Sequence, residues 1–78
     1  MAVLISTTTA TREEADRLAA ALVDQRLVAC IQSWPIRSAY WWQGKVEQKD
    51  EYLLLAKTRR ELADRVVDTI AALHRYDV

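Results

Sequence analysis

One glycine, Gly44, and one proline, Pro35, are the only such breaks in a chain of 78 residues. Average usage would supply several of each, so sharp loops are few and most of the chain has to sit in regular elements. The same scarcity removes whole classes of chemistry. Phosphate cradles of the P-loop and dinucleotide-binding kinds need clustered glycines at a helix start, and Gly44 alone cannot build one.

A chain this short buries only roughly 60% of its unfolded surface and is marginal without a supplement. Disulfides, structural metals and oligomerisation are the usual ones. One cysteine and one histidine exclude an internal disulfide and any zinc-finger spacing, which leaves oligomerisation. A hydrophobic share of 51% with 28% charged residues describes an ordinary globular chain, read as one domain over residues 1–78. Eleven Lys+Arg cancel eleven Asp+Glu, so no general field draws in nucleic acid or an acidic membrane, and neither is expected as a partner. No apolar run approaches the roughly 18 residues of a membrane span. Met1 to Ile5 lack the basic flank and apolar length of a signal peptide. Cytoplasmic residence is the expectation, and a lone reduced thiol agrees with it.

Residues 2–6 are aliphatic and β-branched and lead into Thr7, Thr8 and Thr9, a buried strand by pattern. Thr11 with Glu14 three residues later spells a capping box. Ala15, Leu18, Ala19, Leu22 and Val23 then share a helical face that runs to about Gln25 or Arg26, with no glycine to stop it. Residues 27–34 read as a second strand meeting Pro35, which marks a bend or an edge position, and the aromatic stretch 36–42 resumes it. Gln43, Gly44 and Lys45 make a turn, with residues 46–50 as an exposed hairpin tip. Residues 51–57 do not alternate, which predicts a central strand covered on both faces. Thr58 with Glu61 repeats the capping-box spacing. Leu62, Val66, Ile70 and Leu73, widened by Ala63 and Val67, form the stripe of a second helix ending around His74.

The order is β-α-β-β-α. It predicts an α+β, ferredoxin-like split β-α-β sandwich whose final strand is missing or truncated. The first strand is then left as a bare edge that recruits partners.

Five segments carry a resemblance: Thr7-Thr8-Thr9 before a capped helix, residues 22–31 (LVDQRLVACI), 38–46 (SAYWWQGKV), 51–58 (EYLLLAKT) and 73–78 (LHRYDV). In order and spacing they resemble the CutA-type divalent-cation tolerance proteins over essentially the whole chain. The resemblance implies a ferredoxin-like fold assembled as a homotrimer through long hairpins. It also implies binding of copper or another divalent cation, a part in the response to metal ions, and no enzymatic activity. An alternative reading is a regulatory module, akin to trimeric nitrogen-signalling proteins, that takes a small anionic ligand or a partner's tail at subunit clefts. Two departures stand out. The family runs on for roughly one more strand and a short helix, so this chain is C-terminally short, and Arg75 stands where the family has proline.

Cys30 is either a small buried hydrophobe or a soft thiolate donor suited to Cu(I); the resemblance favours the donor. His74 is a helix-end cap or a ligand, and Asp77 is an oxygen donor three residues on, so Cys30, His74 and Asp77 are the candidate metal set. Tyr40 and Trp42 point one way from their strand and Trp41 the other, a distribution suited to an interface. With Lys57, which snorkels or neutralises an anion, Tyr40 and Trp42 are the candidate ligand-cleft residues. Glu13, Glu14, Glu47 and Asp50 form no catalytic set, and no catalytic residue is assigned.

Overall fold

The computed structural model describes residues 1–73. Strand β1 (Ala2–Thr9) leads to helix α1 (Arg12–Asp24), then to strands β2 (Cys30–Trp42) and β3 (Lys45–Arg59). A short 3-10 turn (Arg60–Leu62) follows, then helix α2 (Ala63–Leu73). The strands form an antiparallel sheet in the order β1-β3-β2. This is the β-α-β-β-α arrangement that the periodicity predicts. Among the described residues β1 pairs with β3 alone, so its outer edge is open.

Both helices lie on one face of the sheet. Ile5, Ala56 and Ile31 are cross-strand partners in one row, as are Thr7, Leu54 and Ser33. Onto this face pack Ala15, Leu18 and Leu22 of α1 and Val66 of α2, with Leu27 and Val28 from the link after α1. β3 is central, as its apolar run implies, but covered on one side only: Leu54 and Ala56 are buried, whereas Leu53 and Leu55 are half-buried. A split β-α-β unit puts its two helices on the same side, so among the described residues nothing covers the second face of β3. Val23 and Val67, expected on the apolar helix faces, are 48% and 51% exposed. The stripe on each helix is narrower than the sequence pattern.

At the start of α1 the Glu14 N–H donates to the Thr11 hydroxyl at 3.2 Å, as the capping box requires. The stop of α1 holds a surprise. Leu27 N–H donates to the Leu22 carbonyl and Arg26 N–H to the Val23 carbonyl, and Leu27 packs in the same core as Leu22. That is a Schellman motif, and its left-handed position is filled by Arg26 at φ 57 where glycine is usual. A side chain there costs roughly 1 kcal/mol relative to glycine. Because Leu27 must turn inward onto Leu22, β2 begins only at Cys30, later than the sequence suggests.

The second capping box is not made. Thr58 lies in the ladder opposite Val3, and its buried hydroxyl donates to the Leu27 carbonyl at 2.5 Å. A buried hydroxyl takes the partner within reach, and here that is the incoming link rather than the next helix. The helix accordingly opens as a 3-10 turn with no side-chain cap.

β2 runs unbroken through Pro35 because it is an edge strand, where a missing N–H costs no ladder bond. Gln43 and Gly44, at φ 51 and 79, form a two-residue turn of the type whose twist matches a hairpin. Residues 46–50, expected as an exposed tip, are paired strand. The hairpin therefore extends well past the helices as an arm, and the molecule measures 40 × 22 × 20 Å.

Candidate functional site

The helix-free sheet face carries the residues that sequence reasoning singled out. Alternation along β2 and β3 brings Cys30, Lys57 and Leu4 into one row. The next rows are Gln32, Leu55 and Ser6, then Trp34, Leu53 and Thr8. Farther along, Tyr40 stands opposite Glu47 and Trp42 opposite Lys45. Leu4 is 61% exposed, Trp34 40%, Tyr40 42% and Trp42 60%, so an apolar stripe follows this face from the sheet onto the arm. Trp41 and its partner Val46 point the other way and are also exposed. On that side the arm is stiffened by Arg37, whose guanidinium donates to Gln48 Oε1 at 2.9 and 3.2 Å and lies 3.9 Å from the Asp50 carboxylate.

Cys30 is a half-buried free thiol. Its position on the open face, rather than in the helix-covered core, separates it from the usual structural cysteine. Its cross-strand partner Lys57 is exposed and cationic, and Leu4 beyond is apolar. Among the described residues no three His, Cys, Asp or Glu side chains gather into a cation-holding group. Within one chain the described residues therefore do not fit a closed metal site: Cys30 is a single soft donor beside an ammonium group. The other two members of the candidate set, His74 and Asp77, lie outside the described residues.

The candidate cleft residues are not together in one chain. The β3 partners of Tyr40 and Trp42 are ten and twelve residues from Lys57, which at about 3.3 Å per residue is roughly 30–40 Å. Tyr40 and Trp42 sit on the arm, Lys57 at the other end of the same strand. Only a second chain could bring such groups into one cleft.

Two features escaped the sequence pattern. Glu51 is a buried carboxylate, 9% exposed, where the arm joins the sheet; only the ladder register, which pairs it with Ile36, reveals that place. Arg26 and Arg59 meet Lys57 around one small cavity, although they are far apart in sequence.

The family model described as CutA1 divalent ion tolerance protein matches residues 3–78. The chain belongs to the CutA1 family. It is 42% identical over 64 residues to the divalent-cation tolerance protein CutA of Archaeoglobus fulgidus, covering 82% of this chain and 63% of that protein. It is 39% identical over 77 residues to the chloroplastic CutA 1 of Oryza sativa subsp. japonica, covering 97% of this chain and 44% of that protein. The chain thus spans less than two thirds of either relative. A solved structure described as the periplasmic divalent cation tolerance protein CutA from Archaeoglobus fulgidus superposes with a TM-score of 0.92 at 39% identity, covering 97% of this chain and 74% of that one. As in these CutA1 relatives, the sheet with two helices on one side is the shared unit. No described helix is long and apolar enough to cross a membrane.

Proposed function

We propose that the chain serves as a divalent-cation tolerance protein that binds copper or another divalent ion without catalysing a reaction, and that it works as a homotrimer. The observation that carries this reading is the half-buried Cys30 thiol on the helix-free face, beside Lys57 and in one row with the exposed Leu4. A second copy covering that face would desolvate the thiol and supply the donors that one chain lacks. His74 and Asp77 are the proposed co-ligands, and soft Cu(I) is the ion best matched to a thiolate. Membership of a family named for divalent ion tolerance supports the same role. Cytoplasmic residence is proposed on the free thiol, which a reducing compartment preserves; relatives are named for the chloroplast and the periplasm.

The test is titration of the full chain with Cu(I), under anaerobic conditions, and with Cu(II), each read against a competing chelator. Affinity is expected to fall at least about ten-fold in Cys30→Ser and in His74→Ala, the size usual for a lost metal-site partner. Superimposable isotherms for both variants and the parent chain would remove the ligand assignment.

A further inference from the structure

A cavity of about 250 Å³ opens at the end of the sheet remote from the arm, lined by Arg26, Lys57 and Arg59 with Val28, Thr58 and Leu62 among its walls. Among the described residues no carboxylate lines it. Among the described residues none of the three cations has an ion pair. For a chain whose charges cancel, eleven against eleven, this is a marked local excess of one sign. Lys57 and Arg59 are two apart on β3 and so project from the same face. Arg26 is brought to them by the link after α1.

That link is held in place. Thr58 donates to the Leu27 carbonyl, and Ala29 N–H donates to the Lys57 carbonyl at 2.8 Å. Arg60 N–H donates to the Met1 carbonyl at 2.9 Å, which ties the end of β3 to β1. The backbone carrying all three cations is thereby pinned before any ligand arrives. Arg26 also occupies a left-handed position that glycine would fill without strain. A charged side chain kept at a disfavoured backbone position is a pointer to use at that site.

We infer that this cavity binds a phosphoryl oxyanion, with Arg26 and Arg59 as forked donors and Lys57 as a point charge. Guanidinium groups match tetrahedral oxyanions with paired N–H donors, and lysine adds charge with little directional demand. The volume is below the roughly 300–1,000 Å³ of sites for drug-sized ligands, so the phosphoryl group sits inside and anything attached to it projects outward. The site lies within one chain. It involves neither Tyr40 nor Trp42, and it does not depend on the cation reading.

The experiment is calorimetric titration of the full chain in a low-salt, phosphate-free buffer with a metal chelator present. The probes are sodium phosphate, sodium pyrophosphate and adenosine 5′-diphosphate, with sodium chloride at matched ionic strength as control. Saturable binding of at least one phosphoryl probe is expected, weakened roughly ten-fold or more in Arg26→Gly and Arg59→Gln and partly restored in Arg26→Lys. Binding by phosphate itself identifies the free anion as sufficient; binding by the nucleotide alone identifies the phosphoryl end of a larger ligand. Arg26→Gly removes charge while relieving backbone strain, so it is expected to melt higher than the parent chain, and weaker binding cannot then be blamed on unfolding. Equal affinity in the parent chain and Arg26→Gly, or the same heat from chloride as from every phosphoryl probe, would overturn the proposal.

Discussion

Replacing Trp42 by alanine tests the proposed assembly most directly, because Trp42 is large, exposed and remote from the helix-covered core. Its side chain is 60% exposed. A tryptophan carries about 150–250 Å², so about 90–150 Å² of Trp42 is open to water in a single chain. Covering that area is worth about 2–4 kcal/mol at about 25 cal/mol per Å². Three symmetric copies make the loss about 6–12 kcal/mol per trimer, and the dissociation midpoint of a trimer scales with the square root of its equilibrium constant. Trp42→Ala is therefore expected to raise the midpoint concentration by about 10²- to 10⁴-fold. Sedimentation velocity over a dilution series reads this shift, and far-UV circular dichroism checks that the chain still folds. Val67→Ala serves as the control, since Val67 is 51% exposed on α2, away from the open sheet face. A folded parent chain that sediments as a monomer at micromolar concentration would refute the reasoning, as would identical midpoints for Trp42→Ala and the parent.

Two further substitutions examine the backbone devices that shape the fold. Arg26→Gly is expected to stabilise by roughly 1 kcal/mol, an increase of about 4–8 °C in melting temperature for a chain of this size; a lower melting temperature would contradict the left-handed assignment. Thr58→Val preserves shape but leaves the Leu27 carbonyl without its hydroxyl donor, a loss of about 1–3 kcal/mol, measurable as a lower urea midpoint with unchanged slope.

Local pattern and long-range pairing divided the fold between them. The start of α1 was legible because Thr11 and Glu14 are neighbours on one turn, and a cap depends on nothing farther away. The same spacing at Thr58 and Glu61 misled, because a hydroxyl in a ladder and buried beneath a distant link answers to the link. Arg26 shows the converse. Nothing in its neighbours announces a left-handed residue, and only the inward packing of Leu27 on Leu22 requires one.

The candidate site divides in the same way. Cys30 stands out by its chemistry as the only thiol, and the aromatic run 40–42 by its composition. Neither property says which groups meet. Register placed Lys57 beside Cys30 and far from Tyr40 and Trp42, since a strand carries residues ten positions apart to opposite ends of itself.

The sequence by itself determined the order of elements, the helix faces and the hairpin turn at Gly44, because periodicity and turn chemistry act over a few residues. Only the tertiary structure decided that one face of β3 is bare among the described residues and that Arg26 shares a cavity with Lys57 and Arg59. Both follow from contacts between residues remote in the chain, strand pairing for the first and the hydrogen-bonded link after α1 for the second, which no local pattern encodes.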